Sequence, residues 1–271
     1  AENSIDYRTA RNELNISAST IDSLASQGIV RTESDRIYRN PVMGFGQEKK
    51  KIILNDGQRK AACGIISGYK KYNGGVYLLH GVTGSGKTEV YMSVIEAVIA
   101  DGRQVIMLIP EIALTYQTVE RFYERFGERV SILNSRMSQG ERYDQYERAK
   151  NNEIDIIVGP RSALFVPFER LGLIIIDEEH ENSYKSEMPP KYHAREVAEE
   201  LVRLHNATLL LGSATPSVAT YYRTMPDYAG SDKIIKYELN ERVGNAVLPH
   251  VDVVDMREEF AQKNYSVCVH Q

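Results

Sequence analysis

The sequence predicts an α/β fold, in which helices cover both faces of a parallel sheet and a small additional domain comes first. The main observation is that apolar runs of strand length alternate with helical patterns from residue 52 onward. These runs are almost continuously apolar, which is typical of strands buried on both faces. With 271 residues, of which 42% are hydrophobic, the chain can bury one large core and has residues left for a small satellite domain.

Residues 1–40 predict the satellite domain. Two short helices are indicated by DYRTARNELNIS and ASTIDSLASQGIV, the second capped by Ser19 and ended by Gly28, and RTESDRIYR then alternates like a small β-wing. Together they predict a winged-helix domain, and a helical hairpin packed on the main domain is the alternative interpretation. The next segment, residues 41–51, is interpreted as a linker.

The remainder of the chain, 52–271, predicts the sheet domain. Its strands are predicted at VYLL, VIMLIP, VSIL, IDIIV, LGLIIID, ATLLLG, KIIKYEL and VDVVDM. Its helices are predicted at GQRKAACGIISGYKKY, KTEVYMSVIEAVIA, ALTYQTVERFYERF, SQGERYDQYERAKN and HAREVAEELVRLH.

Charge and cysteine content exclude several classes of protein. Lys and Arg total 33 against 37 Asp and Glu, a net charge of -4, so any contact with nucleic acid must be local. Cys63 and Cys268 are far apart and form no Cys-x-x-Cys pair, which indicates neither a disulfide framework nor a zinc site. No apolar run approaches the roughly 18 residues of a membrane span. We therefore expect a cytoplasmic protein without a membrane partner.

A phosphate-binding loop is predicted by GVTGSGKT, residues 81–88, which matches G-x-x-x-x-G-K-[ST] between a strand and a helix. Its backbone N–H groups would face phosphate oxygens, aided by the positive end of the helix. Lys87 would reach the β- and γ-phosphates, and Thr88 would ligate Mg²⁺. The residues expected to line the phosphates before these two are Gly81, Val82, Thr83, Gly84, Ser85 and Gly86. A glycine-rich turn that matches by chance is the alternative.

Carboxylates follow another apolar run, in LGLIIIDEEH. Asp177 would hold Mg²⁺, and Glu178 would orient and deprotonate the attacking water. Three adjacent acids repel one another, which itself favours a bound cation. The alternative is a solvated strand end.

Several motifs in this order carry a family resemblance: GVTGSGKTE, PEIALTYQT, GPRSALFVPF, IDEEHENSYKSEMPPKYHAREVA and LGSATPS. Over about residues 50 to 260 the chain resembles the superfamily 2 DNA helicases, and among them the primosomal replication-restart helicases. The resemblance implies that 52–271 form the first RecA-like lobe, a P-loop NTPase fold, and that a winged helix precedes it.

The resemblance also implies roles for residues outside the loop and the acids. Gln58 would read the adenine edge, since an amide offers both a donor and an acceptor. His180, Ser213 and Thr215 would couple the nucleotide state to the rest of the protein. The residues expected to contact DNA are Arg161, Ser162, Tyr184, Lys185, Tyr192, His193 and Arg195, the last five with Lys191 in a loop suited to base stacking and phosphate pairing. The alternatives are a surface helix residue for Gln58, a simple strand-end turn for Ser213 and Thr215, a surface ion pair for Arg161 and a polar surface loop for the tyrosines.

Departures and absences limit what the resemblance implies. Pro160 replaces a threonine usual before Arg161, which removes a hydroxyl and an N–H group and puts one DNA contact in question. Nothing after VDVVDMREEF resembles a second RecA-like lobe, its arginine finger or the zinc-binding cysteines of the family. We therefore expect these 271 residues to bind nucleotide, to hydrolyse it feebly and not to unwind DNA.

By resemblance, the complete protein would be an ATP-dependent 3′ to 5′ helicase of bacterial replication restart, associated with the nucleoid. It would use ATP and Mg²⁺, with zinc only in the missing part. Its partners would be single-stranded and forked DNA, single-strand-binding protein and the proteins of the primosome that load the replicative helicase. A different superfamily 2 translocase and an ATP-gated DNA-binding module without motor activity are the alternatives. A P-loop enzyme of metabolism would leave the aromatic and basic loop unexplained.

Overall fold

The computed structural model describes residues 7–12, 14–31, 53–72, 74–243 and 257. The chain divides into two compact units, Ala1–Arg39 and Asn40–Gln271. Among the described residues, no helix is both long enough and apolar enough to cross a membrane.

The first unit contains helices α1 (Tyr7–Asn12) and α2 (Ala18–Ser26). The predicted cap of α2 is wrong: Ser17, not Ser19, is the N-cap, and its side chain accepts a hydrogen bond from the Thr20 N–H at 3.1 Å. Ser17 has the extended backbone that a cap requires, whereas Ser19 already lies within the first turn. Of the predicted wing, 31–39, only residue 31 is described, and the linker 41–51 lies outside the described residues, so the winged helix stays a prediction.

The described part of the second unit forms a sheet of seven strands, in which all neighbouring strands pair in parallel. The strands are β1 (Gly75–Gly81), β2 (Gln104–Leu108), β3 (Val130–Ile132), β4 (Ile156–Gly159), β5 (Leu171–Ile176), β6 (Thr208–Ser213) and β7 (Ile235–Leu239). They confirm seven of the predicted strands, and the eighth, at 251–256, lies outside the described residues.

Six helices among the residues described for the second unit connect or flank the strands. They are α3 (Asp56–Tyr72), α4 (Lys87–Ala100), α5 (Tyr116–Phe126), α6 (Gln139–Lys150), α7 (Ala194–His205) and α8 (Val218–Tyr222). The five predicted helices are confirmed, although α5 begins three residues later than predicted. Its start is fixed by Thr115, whose side chain accepts from the Thr118 N–H, after a short 3₁₀ turn at Glu111–Ala113.

Side chains of each central strand alternate between two apolar layers. In β2, Val105 and Met107 pack in the layer that contains residues of α3, α4 and α5, while Ile106 and Leu108 pack in the layer that contains residues of α6 and α7. The strands are thus buried on both faces, as their continuous apolar sequences predict.

The strand order, β3-β4-β2-β5-β6-β1-β7, determines which loops meet. After β1 the chain crosses past two positions to β2, and β5 and β6 later fill the gap. Because the strands are parallel, the carboxyl ends of β1 and β5 lie at the same edge of the sheet with only β6 between them. In open α/β sheets, ligands bind in the crevice beyond the carboxyl ends of the strands.

Two tyrosine hydroxyls of the sheet pack directly on glycines of α3. A Cβ atom added to Gly68 would lie 1.8 Å from the hydroxyl oxygen of Tyr77, and one added to Gly64 would lie 2.1 Å from that of Tyr237. These glycines therefore set how closely α3 approaches the sheet.

We expect Gly68→Ala to lower the free energy of unfolding by about 1–3 kcal/mol, because the new methyl group overpacks against the buried Tyr77 ring. Gly57→Ala in the same helix is the matched control, since its Cβ would meet nothing closer than 3.5 Å. The control should stay within about 1 kcal/mol of the wild type, on the stabilising side. Urea denaturation measures both, and equal stability of the two variants would show that Tyr77 moves aside freely.

Candidate functional site

The phosphate-binding loop connects the end of β1 to the start of α4. Gly84 and Gly86 have φ angles of +80° and +78°, in the left-handed region that favours glycine, and Gly86 is the N-cap of α4. The loop therefore curls around the helix N-terminus, where free N–H groups and the helix dipole attract anions. The Ser85 hydroxyl is buried there and has no hydrogen-bond partner among the described residues.

Lys87 begins α4 with a buried side chain. Its Nζ donates to the carbonyl of Gly81 at 3.0 Å and lies 3.6 Å from Oε1 of Glu178. The ammonium is thus held inside the loop between a carbonyl and a carboxylate, at the position from which a lysine reaches bound phosphates.

Asp177 follows directly after β5 and shares a cavity of about 130 Å³ with Thr88. Burial raises the pKa of Asp177, although the hydrogen bond from Tyr91 and the charge of Lys87 act in the opposite direction. The hydroxyl of Tyr91 donates to Oδ1 of Asp177 at 2.9 Å. Burial also raises the pKa of Tyr91 well above its usual range, so the phenol remains protonated and is the donor.

A hydroxyl and a carboxylate on one cavity fit Mg²⁺, which takes one or two protein oxygens and completes its shell with substrate phosphates and water. Within the described ranges no group of three or more His, Cys, Asp or Glu side chains could hold a metal by itself. The hydroxyl and the carboxylate therefore fit a cation that is also coordinated by the phosphates of a ligand. They do not fit a metal that is bound by protein side chains alone.

Glu178 has a φ angle of +46°, an uncommon conformation for a residue with a side chain. Its half-buried carboxylate lies between an ammonium and an imidazole, 3.6 Å from Nζ of Lys87 and 3.7 Å from Nδ1 of His180. A strained backbone at a polar residue beside a buried lysine is a feature of functional sites.

Glu179, the third of the adjacent acids, has protein partners of its own. Its carboxylate is buried and points away from Lys87: Oε1 accepts from the N–H of Ser217 at 2.6 Å, and Oε2 accepts from the Thr220 hydroxyl at 3.1 Å. Arg195 lies 3.5 Å from the same oxygen and donates to the Thr220 hydroxyl at 2.7 Å. The charge of Glu179 is therefore neutralised by the protein.

The three residues expected to couple nucleotide state lie together. Nδ1 of His180 is 2.8 Å from the Ser213 hydroxyl, and Nε2 is 3.4 Å from that of Thr215. The Thr215 N–H donates to the Ser213 hydroxyl at 3.0 Å. A chain of hydrogen bonds thus joins the end of β6 to the acidic turn after β5.

The amide of Gln58, which we expected to read an adenine edge, has partners inside the protein in this structure, and the adenine contact stays a prediction. Gln58 is 2% exposed, its oxygen accepts from the Asn55 N–H at 2.9 Å, and its nitrogen donates to the carbonyl of Ser85 at 2.9 Å. Both polar atoms are used inside the protein, so Gln58 supports the phosphate-binding loop here.

Three of the residues expected to contact DNA have other partners. Tyr184 is 1% exposed and donates to the backbone carbonyl of Asp177 at 2.7 Å, so its ring cannot stack on a base in this structure. Arg195 pairs with Glu179. His193 is the N-cap of α7 and accepts from the Arg195 N–H, and burial lowers its pKa.

Arg161 and Ser162 line a groove of about 430 Å³ with Pro110, Glu111 and Glu181 among its other lining residues. The structure thereby brings the PEIALTYQT and GPRSALF segments together. One guanidinium nitrogen of Arg161 already donates to two backbone carbonyls of the neighbouring loop, at 2.6 and 2.9 Å. The groove is therefore lined by one arginine and two glutamates.

The exposed part of the loop holds the other candidates for DNA contact. Lys185 and Lys191 are exposed, and Lys185 forms a surface ion pair of 3.6 Å with Glu187. The ring of Tyr192 packs edge-on against Phe165, with centroids 5.3 Å apart, and Phe165 is itself 54% exposed.

Sequence reasoning missed Tyr91, Ser217 and Thr220. A signal existed for Tyr91, which lies four residues after Lys87 and therefore on the same face of α4, among otherwise aliphatic buried positions. No local signal marks Ser217 or Thr220, because their partner Glu179 is about 40 residues away.

Known proteins resemble this chain in sequence and in fold. The DEAD/DEAH box helicase family model matches residues 56–224. The chain is 43% identical, over 93% of its length and 31% of the relative, to the replication restart protein PriA of Bacillus subtilis. It is 42% identical, over 93% of its length and 30% of the relative, to PriA of Synechocystis sp.. The chain thus spans about a third of the length of these curated relatives.

Among solved structures, RecG bound to a three-way DNA junction matches with a TM-score of 0.54 and 22% identity, covering 73% of this chain and 25% of that one. At this identity the match bears on the fold alone.

We expect Glu179→Ala to lower the free energy of unfolding by about 3 kcal/mol or more, because it leaves Arg195 and the Ser217 N–H without their buried acceptor. Glu187→Ala, which removes an exposed partner of Lys185, should change it by less than about 1 kcal/mol. Thermal and urea denaturation measure both variants. Similar stabilities would mean that Glu179 is not the structural anchor described above.

Proposed function

Because this chain belongs to the DEAD/DEAH box helicase family, we propose that it binds ATP with Mg²⁺ as the first RecA-like lobe of a replication-restart DNA helicase. The observation that supports this best is the gathering of Lys87, Thr88, Asp177 and Glu178 where the carboxyl ends of β1 and β5 meet. These are the groups that phosphoryl transfer requires from a P-loop protein.

The triphosphate would lie along the loop from Gly81 to Thr88. Lys87 would exchange its contact with the Gly81 carbonyl for the β- and γ-phosphates. Glu178 would accept a hydrogen bond from the attacking water and take its proton, since its carboxylate lies beside Lys87 at the carboxyl end of β5.

Thr88 and Asp177 would hold Mg²⁺, which supplies neutralisation of the phosphate charge when it is bound. A buried carboxylate whose pKa is raised is poorly solvated, and a cation would replace the missing solvation.

His180 would report the state of Glu178 to Ser213 and Thr215. Its ring lies within 3.7 Å of the Glu178 carboxylate and hydrogen-bonds Ser213 at 2.8 Å. Movement of the acidic turn would displace the end of β6, and this chain of contacts would carry the nucleotide state toward the DNA-binding residues.

For the DNA contact we propose the exposed Lys185 and Lys191 and the half-buried Tyr192 of the loop, with Ser162 in the adjoining groove. Lysines on a flexible stem pair with phosphates, and an accessible aromatic edge offers a surface for a base. Tyr184, His193 and Arg195 would act indirectly, by fixing the shape of the loop.

The function of the complete protein is a further part of the proposal, because the chain spans about a third of its curated relatives. Those relatives are named for replication restart. We propose that the complete protein translocates 3′ to 5′ on single-stranded DNA at forks in the bacterial cytoplasm. Its partners would be single-strand-binding protein and the proteins that load the replicative helicase.

We expect Lys87→Ala to weaken binding of a fluorescent ATP analogue by the 271-residue chain at least tenfold, because the phosphates lose their main cation. Glu178→Gln should bind nucleotide with an affinity within about threefold of the wild type. It should hydrolyse nucleotide more slowly than the wild-type chain, since an amide cannot take the proton from water. Lys150→Ala, an exposed lysine at the end of α6, is the control and should behave as the wild type. Normal turnover by Glu178→Gln would exclude it as the base.

For DNA, we expect the double variant Lys185→Ala/Lys191→Ala to bind single-stranded DNA more weakly and with less salt dependence. Each lost phosphate contact lowers the slope of log K against log salt by about 0.7. Lys150→Ala/Lys233→Ala removes the same charge from two other exposed positions and is the control. If the salt dependence of binding falls equally in both double variants, the effect is due to net charge and not to this loop.

Two experiments separate the alternatives. A preference for plain duplex over forked or single-stranded DNA would favour a different superfamily 2 translocase. An ATPase rate of the complete protein that single-stranded DNA does not stimulate would favour an ATP-gated binding module.

A further inference from the structure

Two buried tyrosine hydroxyls bind the same aspartate from different elements. Tyr91 on α4 donates to the side-chain oxygen Oδ1 of Asp177 at 2.9 Å. Tyr184, in the short 3₁₀ turn after β5, donates to the backbone carbonyl of Asp177 at 2.7 Å. Only the bond from Tyr91 acts on the carboxylate itself, so the two tyrosines differ in what they can control.

The hydroxyl of Tyr91 has a fixed position. Its ring is 0% exposed and belongs to the apolar layer formed with α3 and α5. On β6, a Cβ atom at Gly212 would lie 1.6 Å from the Tyr91 hydroxyl and 3.3 Å from Oδ1 of Asp177. The absence of a side chain at Gly212 therefore provides the space in which the hydroxyl meets the carboxylate.

One helix carries all the groups concerned. Tyr91 lies three residues after Thr88 and four after Lys87, so the three side chains are neighbours on the surface of α4. Thr88 shares its cavity with Asp177, and Tyr91 contacts the Asp177 carboxylate directly. The position of the carboxylate relative to the phosphate-binding loop is thus set by the helix that follows the loop.

We propose that Tyr91 is a positioning residue for Mg²⁺: its hydroxyl holds Oδ1 of Asp177 and thereby fixes the rotation of the carboxylate toward the cavity shared with Thr88. The inference rests on the proposed function. Without the hydroxyl the carboxylate loses its side-chain partner and rotates more readily about its terminal torsion, which is soft in aspartate. Outer-shell partners of metal ligands change metal affinity by about 10–100-fold when they are removed.

The test is a Mg²⁺ titration of fluorescent ATP analogue binding to the 271-residue chain. Tyr91→Phe keeps the ring and removes only the hydroxyl. We expect its Mg²⁺ midpoint, the Mg²⁺ concentration that gives half of the change in nucleotide binding, to rise about tenfold. Nucleotide affinity in EDTA should stay within twofold of the wild type. A role in packing alone would leave the Mg²⁺ midpoint unchanged.

Tyr184→Phe is the matched control, because it deletes a hydrogen bond of similar length to the same residue but to its backbone. Its Mg²⁺ midpoint should equal that of the wild type. An equal rise in both variants would mean that general loosening of the acidic turn is responsible, and would overturn the proposal.

Gly212→Ala approaches the same hydrogen bond from the other side, by displacing the Tyr91 hydroxyl, and should raise the midpoint in the same direction. If the Tyr91→Phe chain folds and has the Mg²⁺ midpoint of the wild type, this inference alone is overturned. If the Tyr91→Phe chain does not fold, a wild-type Mg²⁺ midpoint in a folded Gly212→Ala chain overturns this inference instead. A wild-type chain whose nucleotide binding does not respond to Mg²⁺ would overturn the proposed function and this inference together.

Discussion

The structure depends on two parallel strands, β1 and β5, whose carboxyl ends lie at the same edge of the sheet with only β6 between them. The first end continues into a glycine-rich loop and a helix that begins with a buried lysine, and the second continues into acids. The Lys87 ammonium and the Glu178 carboxylate are brought to 3.6 Å across this gap. Since the strands are buried on both faces, their ends cannot shift without disturbing the core, and the site inherits the rigidity of the sheet.

Four consecutive residues after β5 each serve a different contact. The contacts are Asp177 with Tyr91 on α4, Glu178 with Lys87, Glu179 with Arg195 and Ser217, and His180 with Ser213. This divergence requires a sharp turn, and the left-handed backbone of Glu178 provides it. Because each carboxylate has its own partner, part of the repulsion among the acids is offset.

Burial also separates the aromatic residues by role. Tyr91 and Tyr184 are fully buried and use their hydroxyls on Asp177, whereas Tyr192 and Phe165 retain accessible ring surface. A tyrosine satisfies a buried polar atom with little conformational freedom, so it holds an acidic turn more rigidly than a lysine or glutamine would. The loop that follows is thereby anchored at one end and exposed at the other.

The sequence by itself determined the parallel sheet, the helices that cover it and the phosphate-binding loop, because hydrophobic periodicity and glycine spacing are local properties of the chain. The tertiary structure decided the partners of individual polar side chains: Gln58 turned inward, Glu179 paired with Arg195, and Tyr184 entered the core. Tyr91 and Asp177 are 86 residues apart, and only the strand order brings them together. Such pairings follow from three-dimensional proximity and from the direction of a turn, which a pattern of residue types does not contain.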